Sequence, residues 1–394
     1  MALTGWPNEA PLGPAAPVIE RAEHAATELA RWTATWGRTV GPDVGPLLFG
    51  RAALLGLGRQ GRTSAGGSCR LLRALDGWLA VNLARPDDLD AVPAVVCADA
   101  DAGTDPWVAL ARGAAAHNAT VLADRAQLLG IPAAALPASA GTGIEGCLPF
   151  AETAGGTPYE RSRPPTVVDL SAMWAGPLCA RLLGWAGARV IHVESTGRPD
   201  GARFGHPGFW TWLHRGQQMR NLDLTSPAGA HELARLVSCA DVVIEASRPR
   251  ALRQLGLDAE ELVRAQPGLT WLSITGYGRD EGAAQRVAFG DDAAVAGGLV
   301  AYDRHGDPVF CGDAIADPLS GLVAAAAVAR SIATGGGRLI EVSMRDVAAW
   351  AGAPGPLTAP FEVTGAGAGT WVVRAGSDSQ AVLDPPLPPR HEAR

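Results

Sequence analysis

Residues 166–194 decide the fold, and they contain Thr166-Val-Val-Asp-Leu170, then a helical pattern from Gly176 to Ala186, then Arg189-Val-Ile-His-Val-Glu194. The two outer runs are short and apolar, as buried strands are. Two strands that are joined through a helix run parallel in one sheet, because a parallel pair needs a long crossover connection. The stretch therefore predicts a βαβ unit.

The same alternation continues towards the C-terminus. The pattern predicts a helix over Pro227–Ser238, strands over Asp241–Glu245 and Leu269–Ile274, and a helix that opens at the capping box Asp258-x-x-Glu261. This series predicts an α/β fold with a doubly wound parallel sheet. Ligands of such sheets lie at the carboxyl ends of the strands. We therefore examine the strand-end loops at 171–177, 195–203, 246–250 and 275–278.

Composition shifts suggest how the chain is divided into domains. The pattern of the first 137 residues predicts a small α+β domain, with helices near 107–115 and 120–129 and a short return strand near 130–136. Residues 138–165 are rich in Gly, Thr, Ala and Pro, which predicts a linker. A Rossmann-like domain is expected over 166–350, followed by a C-terminal return segment over 351–394.

Charge and cysteine usage narrow the class of protein. The net charge is −7 and the sequence has no lysine, which argues against a nucleic-acid-binding protein. Six cysteines are scattered singly, with neither a C-x-x-C pair nor a His at metal-ligand spacing, so we expect reduced thiols and no metal site. The N-terminus does not resemble a signal peptide, and no apolar run reaches the roughly 18 residues of a membrane span. We expect a soluble cytoplasmic protein.

One short motif resembles a dinucleotide-binding loop. Gly56-Leu-Gly58-Arg-Gln-Gly61 matches G-x-G-x-x-G, and Asp76 lies about where a ribose-binding acid would follow. The fingerprint needs a helix that opens at its third glycine. The residues that follow include Gly66-Gly67, which would break such a helix, so we do not assign a dinucleotide site here.

The stretch Asp313-Ala-Ile-Ala-Asp317-Pro-Leu-Ser-Gly321 leads into a run of small residues that ends at Arg330. An Asp followed by Pro318 and an Ala/Val run predicts a helix start, with Asp317 as the N-cap and Pro318 as the first helical residue. The same position also suits a nucleophile, because a helix N-terminus favours an ionised carboxylate. These two interpretations of Asp317 are compatible.

The strand-end loops carry an ordered series of motifs. It comprises Val168-Asp-Leu-Ser-Ala-Met-Trp-Ala-Gly176-Pro177, Asp200-x-x-Arg203, His214-Arg-Gly216, Asn221-Leu-Asp-Leu, Ala246-Ser-Arg-Pro249, Ser273-Ile-Thr-Gly276 and the Asp317 stretch. The series resembles the nucleotide-binding half of family III CoA-transferases (the CaiB/BaiF group), which includes formyl-CoA transferase, carnitine CoA-transferase and α-methylacyl-CoA racemase. In that family the small domain follows this half, whereas here it precedes it, so the chain looks permuted, or like one surviving piece of a duplicated ancestor.

The resemblance implies an activity and a set of site residues. In the family, the aspartate that matches Asp317 attacks an acyl-CoA thioester and forms covalent intermediates. Gly66 and Gly67 match a flexible loop that closes over them. The implied CoA-binding residues are Ser171, Trp174, Ala175, Gly176, Pro177, Arg203, Ser247, Arg248 and Gly276.

The resemblance also implies the binding partners. Coenzyme A and acyl-CoA would be substrates, with no permanently bound cofactor, and a carboxylic acid would be the acceptor. Family members are homodimers, so a homodimer is expected.

Several departures from the family pattern leave alternatives open. The segment 286–292 has no His, so an acyl-CoA racemase or isomerase would lack its expected base. Ala246 and Arg250 stand where an Asn and a Gly are usual, and Gln217 where a Lys is usual. These changes also allow a non-catalytic acyl-CoA-binding partner subunit.

Overall fold

The computed structural model describes residues 2–13, 16–97, 104–139, 147–247, 249–353, 361–367, 370–375 and 378–388. Its helices are α1 (Val18–Thr33), α2 (Val44–Leu55), α3 (Pro86–Asp90), α4 (Val92–Val96), α5 (Pro106–Ala116), α6 (Ala119–Leu128), α7 (Ala175–Trp185), α8 (Pro207–His214), α9 (Pro227–Ser238), α10 (Pro249–Gln254), α11 (Ala259–Ala265), α12 (Gly290–Ala296), α13 (Ala316–Ala333) and α14 (Met344–Gly352).

The strands are β1 (Cys69–Arg73), β2 (Trp78–Asn82), β3 (Ala133–Ala135), β4 (Ala151–Ala154), β5 (Thr166–Asp169), β6 (Arg189–Ser195), β7 (Gln218–Leu222), β8 (Val242–Glu245), β9 (Thr270–Thr275), β10 (Val300–Tyr302), β11 (Pro308–Phe310), β12 (Arg338–Ser343), β13 (Phe361–Gly367), β14 (Thr370–Ala375) and β15 (Asp378–Ala381). A short 3₁₀ turn covers Gly201–Phe204.

The largest sheet has seven strands in the order β4-β12-β9-β8-β5-β6-β7. All pairs in it are parallel except β12 with β4. Helices cover both faces: one apolar core includes residues of α1, α7 and α13, and a second includes residues of α9 and α11. This arrangement confirms the predicted α/β class with a doubly wound, mostly parallel sheet.

The predicted domain boundaries stay a prediction, and two segments pack differently from what those boundaries assume. Residues 151–154, inside the expected linker, form the antiparallel edge strand β4. Helices α1 and α2 contribute Leu29 and Leu48 to the apolar core beside the main sheet, whereas the prediction grouped them with the small domain. Both helices thereby position residues close to α13.

A smaller unit is built on the antiparallel sheet β1-β2-β3. One face packs on α4, α5 and α6 through residues such as Leu79, Leu110 and Leu122. The other face contacts the β10–β11 hairpin, with Trp78 and Phe310 in one apolar cluster. Asn82, at the end of β2, reaches Asp292 in α12. The small unit is therefore attached to the region around Asp317.

The C-terminal strands β13, β14 and β15 form a third antiparallel sheet. Further along, Pro388 lies against the backbone of α2: a Cβ added to Gly50 would lie 2.9 Å from Pro388 N. None of the helices in the described part of the chain has the length and apolar character needed to cross a lipid bilayer.

Candidate active site

Asp317 is the second residue of α13, and Ile315 is the N-cap. The prediction that Asp317 caps the helix and that Pro318 is its first residue was wrong, because the helix begins two residues earlier. No side chain caps this helix end. Asp317 Oδ2 instead accepts a hydrogen bond from the backbone N–H of Gly290, 3.2 Å away in α12. The carboxyl group thus lies between the starts of two helices.

Two further aspartates, Asp291 and Asp313, and one arginine lie close to this carboxyl group, and Asp292 follows Asp291 in α12. Arg51 Nη1 donates to both oxygens of Asp313, at 2.6 and 2.7 Å. Asp291 Oδ1 accepts from Ala314 N at 2.9 Å, and Asp292 Oδ1 accepts from Phe289 N at 3.0 Å. Asp291, Asp292 and Asp313 are all buried. The site therefore holds more carboxyl groups than cations.

Burial and mutual repulsion raise the pKa values of this cluster. The pKa of Asp317 is raised to about 7, first by burial and then by the charge of Asp291, and Arg51 only partly offsets these effects. Burial and Asp313 raise the pKa of Asp291 to about 7. Burial raises the pKa of Asp292 to about 8. The helix start was expected to favour an ionised Asp317; burial and the charge of Asp291 act against this effect and outweigh the Gly290 N–H.

Asp317 lines a cavity of about 240 Å³. A cleft of about 740 Å³ adjoins it, and the two share the wall residues Arg85, Ala172, Met173, Arg198, Ala246, Ser247 and Phe289. The larger cleft lies at the carboxyl ends of β5, β6 and β8, where the fold predicts a ligand. The carboxyl group therefore opens into a space that extends along the strand ends.

Five of the predicted CoA-binding residues lie at or beside this cleft. Ser171 lines the cleft, Ala175 and Gly276 line the cavity, and Ser247 lines both. Gly176 supports the same loop, because a Cβ added there would lie 2.0 Å from Ser171 Oγ. That CoA binds to them stays a prediction.

Three other predicted residues are not among those that line the cleft or the cavity. Trp174 is buried, with its ring 5.2 Å from that of Phe209, and Pro177 is buried in α7. Arg203 forms an ion pair with Glu194 (Nε to Oε1, 2.8 Å) and is not among the residues that line the cleft. Arg248 lies outside the described residues. For Trp174 and Pro177, a structural role in positioning the loop explains their places in the motif.

Gly66 and Gly67 lie in the loop before β1, close to Arg51 rather than in the wall of the cavity. A Cβ added to Gly66 would lie 3.9 Å from Arg51 Nη2, and Gly67 has φ +84°. The Ser64 side chain in the same loop lowers the pKa of Asp291 and so partly offsets the effect of burial. The loop is thus connected to the carboxyl cluster, and its catalytic role stays a prediction.

Sequence reasoning missed several residues that the fold brings to Asp317. Gly290, Asp291 and Asp292 were visible only as a departure from a family motif, and Arg51 had no signal because α2 is distant in sequence. Arg198 lies in the strand-end loop at 195–203. It is exposed, lines both spaces and forms no ion pair with any residue that the structure describes.

The dinucleotide-like motif has a structural explanation. Gly56 is the C-cap of α2, with φ +63°, so the motif follows a helix where the fingerprint needs a strand. Gly61 packs against Trp6, whose ring would lie 2.4 Å from an added Cβ. These glycines serve a helix end and a close packing contact.

Comparison with known proteins gives a family match. Residues 165–373 match the CoA-transferase family III. Succinyl-CoA–D-citramalate CoA-transferase of Chloroflexus aurantiacus is 31% identical over 191 residues, which cover 45% of this chain and 48% of that protein. Human succinyl-CoA:glutarate CoA-transferase is 30% identical and covers 45% and 44%. Formyl-CoA:oxalate CoA-transferase of Afipia carboxidovorans is 29% identical and covers 46% and 45%.

Solved structures also match. A hypothetical protein of Mycobacterium tuberculosis has a TM-score of 0.44 at 28% identity, covering 49% of this chain and 57% of that one. A CAIB/BAIF family protein of Brucella suis has a TM-score of 0.43 at 28% identity, covering 47% and 53%. The chain spans about half the length of the curated relatives that it matches.

Proposed function

Because this chain belongs to CoA-transferase family III, we propose that it moves coenzyme A between an acyl-CoA thioester and a carboxylic acid, with Asp317 as the nucleophile. The observation that carries the proposal is the placement of Asp317: its carboxyl group lines a cavity that adjoins a much larger cleft at the strand ends. A long CoA molecule could lie in the cleft while its thioester reaches Asp317.

Two exchanges at the Asp317 carboxyl group balance the proposed reaction. The carboxylate attacks the thioester carbonyl, the C–S bond breaks, and a mixed anhydride and CoA thiolate form. The thiolate then attacks the aspartyl carbonyl, which releases the first carboxylate and leaves an aspartyl-CoA thioester. The acceptor carboxylate repeats both steps in reverse. Over the whole cycle the Asp317 carboxylate is regenerated, CoA ends on the acceptor, and no atom changes its oxidation state, so the reaction needs no oxidant.

The surroundings of Asp317 fit a nucleophile whose attack produces an oxyanion. Each tetrahedral intermediate carries an oxyanion that N–H donors stabilise. The backbone N–H of Gly290 already donates to Asp317 Oδ2, at 3.2 Å. A pKa of about 7 leaves a large ionised fraction at neutral pH while the carboxylate stays more basic than an ordinary one.

The CoA-binding role of the cleft rests on its shape and on Arg198. CoA carries phosphates, which arginine binds through charge-assisted hydrogen bonds. Arg198 and Arg85 line both spaces, and Arg85 already pairs with Asp88 at 2.7 Å. Arg198 is therefore the stronger candidate for a phosphate. We also retain the expected homodimer and cytoplasmic location as part of this proposal, with sedimentation as the test of the dimer.

Covalent trapping tests the proposal. The chain is incubated with a panel of acyl-CoAs, treated with hydroxylamine and digested, and peptides are analysed by mass spectrometry. An aspartyl hydroxamate at Asp317, absent from Asp317→Asn, is expected. Exchange of the α-proton in deuterated water without any adduct would favour a racemase or isomerase instead. CoA binding that Asp317→Asn leaves intact, with no adduct and no exchange, would favour a binding subunit.

A further inference from the structure

A second cluster of ionisable side chains lies beside the cleft. His192 in β6, Asp200 at the start of the 3₁₀ turn and His214 at the end of α8 each offer one ligand atom, and these atoms lie within 4.8 Å of one another. All three residues are buried, His192 with none of its surface exposed and His214 with 7% exposed. The proposed transfer mechanism does not use any of them.

Hydrogen bonds determine which ring nitrogens are available. His192 Nδ1 lies 2.9 Å from Asp169 Oδ2. An ionised carboxylate only accepts hydrogen bonds, so the hydrogen of this bond is on Nδ1. His214 Nδ1 lies 3.0 Å from the amide oxygen of Gln217, whose amide nitrogen donates to Leu213 O. In its neutral form each ring presents a lone pair at Nε2, and a cation bound there would hold both rings in that form.

Neither Nε2 atom has a hydrogen-bond partner in the described part of the chain, although both are buried. Two buried acceptors without a donor carry a desolvation cost that a bound cation would remove. Negative charge also lies close to His192, from Asp169 at the end of β5 and from Glu194 in β6, which pairs with Arg203. A bound cation would therefore satisfy both nitrogens and offset part of this negative charge.

We propose that His192, Asp200 and His214 form a binding site for a divalent transition metal ion, with Zn²⁺ the best match. Two imidazoles and one carboxylate are typical zinc ligands, whereas Mg²⁺ and Ca²⁺ prefer oxygen donors. Zinc–nitrogen bonds of about 2.0–2.1 Å need only a small inward movement of the ligands. The Asp169 and Gln217 contacts correspond to the supporting hydrogen bonds that orient metal-binding histidines.

The site would connect the main sheet to the wall of the cleft. Both oxygens of Asp200 accept from Met173 N, at 3.0 and 3.1 Å, and Met173 lines the cleft and the cavity. Met173 has φ +72°, which a non-glycine residue adopts only where its surroundings hold it. A metal ion on Asp200 would therefore hold the loop that carries Ser171 and Met173.

Metal analysis of the full chain, purified with a tag that contains no histidine, tests the site. We expect about one zinc per chain, as structural zinc sites bind tightly. After chelation, Co²⁺ should restore the visible absorption of a tetrahedral site. His192→Gln, His214→Gln and Asp200→Asn should each abolish stoichiometric binding and the Co²⁺ spectrum, while the exposed His231→Gln retains both.

A milder variant keeps the test decisive if a buried substitution prevents folding. Gln217→Ala removes the hydrogen bond that supports His214 but leaves all three proposed ligand residues unchanged. It should weaken zinc binding by roughly 10- to 100-fold. Stoichiometric zinc in every variant, or no Co²⁺ spectrum in the unmodified chain, would overturn the proposal. In that case a buried water that donates to the two nitrogens is the occupant.

Discussion

The backbone of Gly290 is in direct contact with the carboxyl group of Asp317. Gly290 N donates to Asp317 Oδ2 at 3.2 Å, and a Cβ added to Gly290 would lie 2.5 Å from that same oxygen. It would also lie 2.3 Å from Ala314 O. The start of α12 and the start of α13 can therefore meet only because residue 290 has no side chain.

Gly290→Ala is expected to disrupt the position of Asp317. The added methyl group must push α12 away from α13, which costs about 1–3 kcal/mol as other overpacked sites do. It also lengthens the hydrogen bond that holds the carboxyl group. We expect a lower midpoint of urea unfolding and at least a tenfold loss in the rate of hydroxylamine trapping at Asp317.

Gly282→Ala is the matched control for this substitution. Gly282 is exposed, and no atom lies within 4 Å of a Cβ added to it. It should leave both the unfolding midpoint and the trapping rate unchanged. Equal behaviour of the two variants would contradict the role given to Gly290.

The rate of adduct formation should depend on the ionisation of Asp317. Only the ionised carboxylate attacks a thioester, and burial together with Asp291 raises the pKa of Asp317 to about 7. The rate should therefore rise as pH increases through about 7 and level off above it. Single-turnover trapping between pH 5 and 9 measures this profile, and a flat profile across neutral pH would contradict it.

Asp291→Asn should move that profile to lower pH. The Asp291 charge is the first neighbouring charge that raises the pKa of Asp317, so its removal lowers that pKa. An asparagine keeps Oδ1, which accepts from Ala314 N at 2.9 Å. A midpoint that stays at the unmodified value would show that burial alone sets the pKa of Asp317.

The main strands were predictable from sequence because of where they lie in the sheet. β5 and β8 are buried along their whole length, and each has a run of apolar residues at its centre or start, Val167-Val168 and Val242-Val-Ile244. The edge strands β4 and β7 are exposed or only partly buried and mix polar with apolar residues, so no pattern marked them. Edge strands of this kind are determined by backbone pairing, which a one-dimensional pattern does not show.

The candidate site divides in the same way. Asp317 carried a local signal, the Pro and small residues that follow it. Nothing in the sequence indicated the pKa of Asp317, because that pKa depends on Asp291 and Arg51, which only folding brings close to it. Arg203 shows the opposite case: its motif was visible, yet its side chain pairs with Glu194 and is not itself among the residues that line the cleft. Local motifs predicted which loops form the site, and tertiary packing determined which side chains line it.

Arg198→Ala should weaken CoA binding. A charge-assisted hydrogen bond contributes about 1.5–3 kcal/mol, which corresponds to roughly a tenfold to hundredfold increase in Kd. Binding by the unmodified chain should also weaken more steeply with salt than binding by the variant, because one phosphate contact is lost. Calorimetry with CoA at two salt concentrations measures both effects.

Arg31→Ala provides the comparison for Arg198. Arg31 is exposed on α1 and lies 3.5 Å from Glu28, away from the cleft. Its loss should leave the Kd for CoA and its salt dependence as they are. A Kd that is the same for both variants would remove Arg198 from the CoA site.

Asp292 makes stability depend on pH in the direction opposite to most aspartates. Asn82 Nδ2 donates to Asp292 Oδ1 at 3.3 Å, while Asn82 Oδ1 and Asp292 Oδ2, both buried, have no donor in the described part of the chain. A proton on Asp292 supplies a donor to this pair, and burial raises its pKa to about 8. The folded chain then binds a proton that the unfolded chain releases near its ordinary pKa of 3.8. The free energy of unfolding should therefore fall as pH rises from about 4 to 8.

Asp292→Asn tests this pH dependence, because its amide group supplies the missing donor at every pH. Between pH 5 and 8 the free energy of unfolding should fall less for the variant than for the unmodified chain. The difference between the two should therefore be largest at pH 8. Urea unfolding at the two pH values measures the difference, and the exposed Asp90→Asn serves as the control. If Asp292→Asn and the unmodified chain lose stability equally over this range, Asp292 is ionised in the folded chain. The repulsion that would then act between its carboxylate and Asn82 Oδ1 must be relieved by another group.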